Sequence, residues 1–171
     1  MEEFLKEYKV AHVATLSADG SPYVVPASFL YTGSAILLTP RGKSAWYENL
    51  QRDPRVSVAI DEINAPFRRF NISNVKAEVL YEPGRETEWV HIKRQVEIKG
   101  MSEEAADRYL EAVEKIPYAL YSIPFEYPSP SVLTWRVAIS GNDLTGLMST
   151  RYGTITNPES KLSGFEGFKN K

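Results

Sequence analysis

The chain has 171 residues, a formal net charge of −2 and no cysteine. A chain of this length suits one domain, and folding buries roughly 70% of the surface that the unfolded chain exposes. The near-neutral charge balance excludes a basic nucleic-acid binder, and the lack of cysteine excludes disulfides and thiolate chemistry. No apolar run approaches the ~20 residues of a membrane-spanning helix, and residues 1–7 lack the apolar centre of a signal peptide. We therefore expect a cytoplasmic protein with no nucleic-acid or membrane partner.

The N-terminal part of the chain predicts a helical turn followed by antiparallel strands. Asp19-Gly20 separates two apolar runs, and this dipeptide in that position is typical of a hairpin. Pro26 has no N–H group, so the strand that contains it should have a free edge or a bulge there. The predicted elements are a short helix at 2–8 and strands at 10–16, 23–30 and 35–39.

A Pro-Arg-Gly turn follows the third strand and leads into an amphipathic helix at 44–52, which Pro54 terminates. Arg41 and Lys43 lie at the start of this helix, where the helix dipole disfavours cations. An anion between the two cations would remove this mismatch, because free backbone N–H groups and hydroxyls also meet there. The segment predicts a phosphate site, with a solvated turn bearing two surface cations as the alternative.

The rest of the chain predicts a long bent strand, a helical pair and two further strands. The alternation of apolar residues in the long strand changes phase near Ser73-Asn74, which indicates a bulge or bend. Ser102 suits the N-cap of the second helix of the pair. The predicted elements are strands at 56–60 and 67–82, helices at 85–98 and 103–115, and strands at 118–124 and 132–139.

Together these elements indicate a mainly β protein, a closed or split β-barrel of antiparallel strands with peripheral helices. We expect one domain over 1–171, with a core at about 8–139, a helical pair at 85–116 and a C-terminal tail at 140–171. His12 and His91 fit no metal-ligand spacing, so no metal site is expected. His12 should be buried in its apolar strand, and His91 should lie on the polar side of its helix.

Several short segments follow one another in the first half of the chain with a characteristic order and spacing. They are His12-Val13-Ala14-Thr15-Leu16, Asp19-Gly20-Ser21-Pro22, Val24-Val25-Pro26, Leu38-Thr39-Pro40-Arg41-Gly42, Asn49-Leu50 and Asp53-Pro54-Arg55-Val56-Ser57-Val58. This series resembles the pyridoxamine 5'-phosphate oxidase-like family of flavin-binding split barrels. The resemblance covers about residues 8–82 and rests on the series, since no single segment is specific.

The resemblance implies a site for flavin mononucleotide (FMN) at the interface of a homodimer. In the family, the flavin ring rests against the second strand, and the phosphate is held at the loop and helix start after the third strand. A position in the following helix can also face the cofactor. Carried over to this sequence, the implied residues are Val25, Pro26, Ala27 and Ser28 for the ring, Thr39, Arg41, Lys43 and Ser44 for the phosphate, and Asn49 on the helix.

The chain also departs from the family pattern. The arginine-rich C-terminal substrate signature of true pyridoxine-phosphate oxidases is absent, and Val75 stands where those oxidases often have glycine. The loop 41–46 is one residue longer than in many relatives and lacks their common lysine before the helical alanine. Oxidation of the vitamin itself is therefore not expected.

The leading hypothesis is an FMN-dependent oxidoreductase that acts on a small molecule, in which the flavin accepts or donates a hydride. The residues identify no catalytic side chain. Tyr23 and Arg69 are candidates for positioning substrate, and Trp135-Arg136 for reaching the cofactor. Alternatives are a deazaflavin-dependent reductase, a non-enzymatic flavin- or haem-binding module, and a barrel dimer that has lost its cofactor. Haem is disfavoured because it needs an axial histidine, and only His12, which should be buried, and His91, on the polar side of its helix, are available.

Overall fold

The computed structural model describes residues 1–64 and 67–126, together with the backbone of residues 132–136, 149–150 and 153–154. A short 3-10 turn at Glu86–Glu88 precedes the third helix. The elements in chain order are α1 (Glu2–Glu7), β1 (Val10–Leu16), β2 (Pro22–Tyr31), β3 (Ala35–Leu38), α2 (Ala45–Arg52), β4 (Arg55–Asp61), β5 (Arg69–Lys76), β6 (Glu78–Tyr81), α3 (Val90–Ile98), α4 (Glu103–Ala112), β7 (Leu120–Pro124), β8 (Val132–Arg136), β9 (Ser149–Thr150) and β10 (Gly153–Thr154).

Strands β1 to β8 form one sheet of eight strands in the order β6-β7-β3-β2-β1-β4-β5-β8, and its pairs are antiparallel. The sheet is curled, which brings Phe70 of β5 into contact with Phe125, just after β7, with their ring centroids 5.1 Å apart. The predicted split barrel of antiparallel strands is confirmed. Strands β9 and β10 form a separate pair within the predicted C-terminal tail, most of which lies outside the described residues.

The long strand β2 belongs to both halves of the curled sheet. Its first part, Pro22–Ser28, pairs with β1, whereas Phe29–Tyr31 pairs with β3. In the described pairings, the segment around Pro26 therefore has a neighbour on one side only. The predicted free edge at Pro26 is confirmed, and this edge forms part of the cleft described below.

The predicted change of phase near Ser73-Asn74 is a β-bulge. Val56 and Val58 of β4 pair with Val75 and Ile72, so that two residues of β5 oppose Ser57 alone. Asn74 adopts a positive φ of 53°, and its N–H donates to the Ser57 hydroxyl over 3.1 Å. The prediction of one continuous strand over 67–82 is wrong. The buried Ala77 donates its N–H to the Pro54 carbonyl, and the chain then continues as β6, which pairs with β7.

The helical pair packs on one side of the sheet and has its own apolar cluster. Trp89, which is fully buried, packs there with Leu37 of β3 and Leu120 of β7. Ser102 caps α4 as predicted, since its hydroxyl accepts from the Ala105 N–H. Both helices are shorter than predicted, because residues 86–88 form a 3-10 turn and the chain after Ala112 continues as hydrogen-bonded turns outside the helix.

The expected burial of His12 is wrong. Ala11 and Val13 of β1 face the core, so the strand's two-residue period directs His12 outward. Its side chain is 54% exposed, and its Nε2 lies 3.8 Å from Asp61 Oδ1. His91 is exposed on α3, as expected.

Candidate functional site

A cleft of about 320 Å³ lies between the free edge of β2, the turn before α2 and the helical pair. The lining residues are Val25, Pro26, Ala27, Ser28, Thr39, Arg41, Ser44, Trp46, Glu97, Tyr109 and Tyr118. The cleft thus brings together all of the residues implied by the family resemblance except Lys43 and Asn49.

The pairing of β2 with β3 explains why two separate segments meet in this cleft. Phe29 is the register partner of Leu38, so Ser28 and Thr39 lie next to each other where the paired stretch ends. The residues before Phe29 and those after Leu38 therefore form adjacent parts of one wall. We call this the strand–turn wall (residues 25–28 and 39–44).

The turn before α2 is held against the loops at residues 83 and 117. Gly42 donates its N–H to the Pro117 carbonyl over 2.8 Å. A Cβ at Gly42 would approach Pro83 Cγ to 2.8 Å, which is closer than real contacts allow. Glycine is therefore required here for close approach, and this contact fixes the positions of the flanking Arg41 and Lys43.

The start of α2 offers unused hydrogen-bond donors. The Ser44 hydroxyl donates to the Arg41 carbonyl over 2.7 Å instead of capping the helix. In the described part of the chain, the N–H groups of residues 45–47 have no protein acceptor, and the first helical bond runs from Glu48 N–H to the Ser44 carbonyl. These N–H groups and the positive end of the helix dipole favour an anion at this end of the cleft.

The two cations of the turn differ in their contacts. Arg41 donates from Nε to the Tyr118 hydroxyl over 3.1 Å, and this hydroxyl lies 3.3 Å from that of Tyr109. Hydrogen bonds to Tyr109 and Tyr118 raise the pKa of the Arg41 guanidinium. Lys43 is exposed and lines an adjacent cleft of about 290 Å³, which shares Arg41 and Ser44 with the first. Both charges are therefore positioned beside the start of α2.

The opposite wall of the cleft was not predicted from the sequence. We call it the helical wall, and it consists of Glu97 of α3, Tyr109 of α4 and Tyr118. Trp89, Lys93 and Glu97 follow one another at intervals of four residues and so share one face of the helix. This spacing is the sequence feature that could have identified the helical wall, because it places two charged residues on the same helix face as a buried tryptophan.

Lys93 and Glu97 are buried charged residues, with exposed fractions of 5% and 8%. Burial lowers the pKa of Lys93, and the nearby carboxylates of Glu86 and Glu97 offset only part of this shift. Burial raises the pKa of Glu97, and the nearby cations of Lys93 and Arg41 offset only part of that shift. The Lys93 ammonium lies 3.8 Å from the centroid of the Tyr118 ring. The helical wall therefore places buried charge beside a cleft, a combination often found at functional sites.

Asn49 lies away from the cleft and is 5% exposed. Its Nδ2 donates to the Thr15 hydroxyl over 3.0 Å, and its Oδ1 accepts from Arg52 over 2.8 Å. These bonds join α2 to β1, so a contact from Asn49 to a cofactor stays a prediction.

The two residues that the sequence suggested for positioning substrate, Tyr23 and Arg69, lie outside the cleft. Both side chains are exposed. Trp135 and Arg136 lie on β8, where their side chains are outside the described residues.

Among the residues that the structure describes, no group of three histidine, aspartate or glutamate side chains converges as a metal site. In the same residues, no helix is long and apolar enough to cross a membrane.

Residues 1–140 match the family model described as pyridoxamine 5'-phosphate oxidase. The chain belongs to this family. No curated protein matches the sequence.

Solved structures support the split-barrel fold of this family member. The haem storage protein HutZ from Vibrio cholerae is similar with a TM-score of 0.58 and 20% identity, over 80% of this chain and 93% of that protein. An FAD-binding protein from Mesorhizobium loti has a TM-score of 0.51 and 20% identity, over 73% of this chain and 84% of that one. A protein named F420 reductase has a TM-score of 0.51 and 17% identity, over 73% and 93% of the two chains.

Proposed function

We propose that this member of the pyridoxamine 5'-phosphate oxidase family binds FMN in the cleft and acts as an oxidoreductase on a small molecule. The observation that carries the proposal is the convergence of residues 25–28 with Thr39, Arg41 and Ser44 on one cleft. These segments are the ones that the family resemblance implies for the ring and the phosphate. The chain lacks the arginine-rich C-terminal signature of true pyridoxine-phosphate oxidases, so we propose a different substrate.

The residues at the start of α2 fit a phosphate group. The N–H groups of residues 45–47 have no acceptor in the described part of the chain, and two cations flank them. Hydrogen bonds to Tyr118 and Tyr109 occupy some of the five N–H donors of the Arg41 guanidinium, and the others are left for a ligand. Lys43 has no ion pair among the described residues. Arg41, Lys43 and the α2 N–H groups would together hold the phosphate.

The residues of β2 fit the flat ring of the cofactor. Val25, Ala27 and Ser28 are half-buried, and the free edge of the strand leaves backbone groups available for hydrogen bonds. When bound, FMN would supply hydride transfer at its ring. The side chains of this wall would orient the ring and limit the access of water to one of its faces.

The same segment supports the proposal of a homodimer. Tyr23 and Val24 are 37% and 61% exposed, although they lie on a ten-residue strand of the barrel. An apolar strand end that is exposed on both faces suits an interface between two copies of the chain. An obligate dimer should lose apparent stability on dilution by mass action. A monomer that stays folded at nanomolar concentration would overturn the dimer.

The decisive test is an absorbance spectrum of the purified protein after FMN has been added and the excess removed. Flavin bands that remain with the protein would support the proposal, and oxidation of reduced nicotinamides would then be measured. A protein that retains no FMN would overturn it. Titration with deazaflavin F420 would next test the alternative cofactor, whose longer phosphate-bearing tail could extend from Arg41 and Ser44 into the adjacent cleft.

A haem-binding module is the second candidate. It is favoured by the exposure of His12, which leaves an imidazole accessible as an axial ligand. The same spectrum tests it, because added haem would give a Soret band that His12→Ala should shift or abolish. A Soret band that the variant leaves unchanged would exclude His12 as the ligand.

A further inference from the structure

Glu97 presents to the cleft a carboxylate that accepts no hydrogen bond from the described part of the chain. Its side chain is 8% exposed and lines the helical wall. In the described part of the chain, no hydrogen bond or ion pair reaches this carboxylate. Burying a charged group without a donor costs free energy. A ligand that brings a donor into the cleft would remove this cost.

The neighbouring cations form no hydrogen bond or ion pair with Glu97. Lys93, one turn earlier on α3, has its ammonium over the ring of Tyr118. Arg41 donates from its guanidinium to the hydroxyl of the same tyrosine. Both cations nevertheless lower the pKa of Glu97, which burial raises. Because two positive groups are already close, the surroundings favour a neutral N–H donor over a third cation.

The lining of the cleft indicates which ligand meets Glu97. Glu97 lines the same cleft as residues 25–28 of the strand–turn wall. The ligand that contacts the strand–turn wall is therefore the one that reaches Glu97. On the proposed function, this ligand is the flavin.

We propose that Glu97 accepts a hydrogen bond from the imide N–H of the bound flavin ring and thereby selects the flavin over analogues that lack this donor. The ring carries this N–H between two carbonyl groups. The inference rests on the proposed function, because it assumes that the cleft holds the ring. The same acceptor could serve an N–H of the substrate, and the experiment below separates the two sources.

The test compares FMN with its 3-methyl analogue, in which a methyl group replaces the imide hydrogen. Both flavins keep the phosphate, so the contacts at Arg41 and Lys43 are common to them. The wild type should bind FMN about tenfold or more tightly than the analogue. In Glu97→Met, which removes the acceptor at similar length, FMN should bind about tenfold more weakly, and the preference should vanish. Glu97→Gln, which keeps one acceptor oxygen, should fall between them.

Thermal unfolding without ligand distinguishes recognition from a structural role. Glu97→Met removes a buried carboxylate that accepts no hydrogen bond, but it also removes a negative charge that favours the charged form of Lys93. These effects oppose each other, so the midpoint of unfolding should change little while FMN affinity falls. A residue that only supports the fold would lower both. Glu111→Gln, at an exposed carboxylate of α4, is the matched control and should change neither.

The outcomes separate this inference from the proposed function. A wild type that retains no FMN overturns both. A wild type that binds FMN without a preference over the analogue overturns the inference alone. A preference that persists in Glu97→Met also overturns it, because the methyl group would then be excluded by shape. In those two cases, Glu97 is not the acceptor for the ring, and a donor on the substrate becomes the alternative.

Discussion

The two walls of the cleft are built in opposite ways. The strand–turn wall consists of two segments that a single β-pairing brings together, and its cations, Arg41 and Lys43, are exposed. The helical wall brings together Glu97 of α3, Tyr109 of α4 and Tyr118 of the loop before β7, and its charged residue, Glu97, is buried. On the proposed function, the two walls would contact different parts of the cofactor, the phosphate and the ring. Exposed cations and free N–H groups suit phosphate, whereas a buried acceptor discriminates between ligands because water cannot replace the missing donor.

The largest effect is expected from breaking the strand–turn wall. Arg41→Ala together with Lys43→Ala removes charge-assisted hydrogen bonds to the phosphate, at about 1.5–3 kcal/mol each. FMN affinity, measured by fluorescence titration, should therefore fall by about a hundredfold or more. Lys9→Ala with Lys76→Ala removes the same charge from exposed positions and should leave the affinity unchanged. Equal FMN affinity of the wild type and the Arg41/Lys43 variant would contradict the proposed phosphate site.

Removing the support of the helical wall should have the next largest effect. Trp89 is fully buried between the helical pair and the sheet, so Trp89→Ala should lower the free energy of unfolding by about 3–5 kcal/mol. Urea denaturation measures this loss. Val90→Ala, at a side chain that is 53% exposed, is the control. A loss below about 1 kcal/mol would mean that the helical wall is not held by this cluster.

Asn49→Ala tests whether Asn49 supports the fold or contacts the cofactor. The variant loses the bonds to Thr15 and Arg52, so the free energy of unfolding should fall by about 1–3 kcal/mol. FMN affinity should stay the same, because Asn49 does not line the cleft. Affinity that falls in a variant that remains folded would instead place Asn49 at the cofactor, as the family resemblance implies.

The last prediction concerns Lys99, a half-buried cation whose ammonium has a hydrogen-bond acceptor. Lys99 donates to the Leu5 carbonyl over 2.9 Å and joins α3 to α1, while burial lowers its pKa from 10.5 to about 8. Between these two values the unfolded chain binds more protons than the folded protein, so stability should rise with pH over this window. Lys99→Met should lack this contribution. Chemical denaturation between pH 7 and 10.5 should show the wild type gaining stability relative to the variant, and a constant difference would contradict the assignment.

Features that depend on local chemistry were predicted from the sequence. Asp19-Gly20 forms the hairpin between β1 and β2, Ser102 caps α4, and the bulge lies at Ser73-Asn74. The residues that the family resemblance implies for the ring, and most of those that it implies for the phosphate, line one cleft, while their contact with a cofactor stays a prediction. Turn residues, caps and strand periodicity act within a few positions, so they can be recognised without knowledge of distant contacts.

Other features depend on which surface covers a given face. The apolar neighbours of His12 suggested burial, but the strand's outer face lacks cover there, and the ring is exposed. The segment 67–82 divides at Ala77 because its N–H bonds to the Pro54 carbonyl, which a pattern of alternation cannot show. Asn49 was matched to a position that can face the cofactor, yet its side chain bonds to residues of β1 and α2.

Local sequence patterns were enough to predict the succession of strands along the chain, the turn before α2 and the cations beside it, because each depends on neighbours within a few residues. The burial of Lys93 and Glu97, and the position of Glu97 at the cleft, depend on tertiary packing. On an isolated helix, both would face water as an ordinary pair at i and i+4. They lose that water only when α3 packs on the sheet and the loop carrying Tyr118 lies against it, so the chemistry of the helical wall depends on contacts distant in sequence.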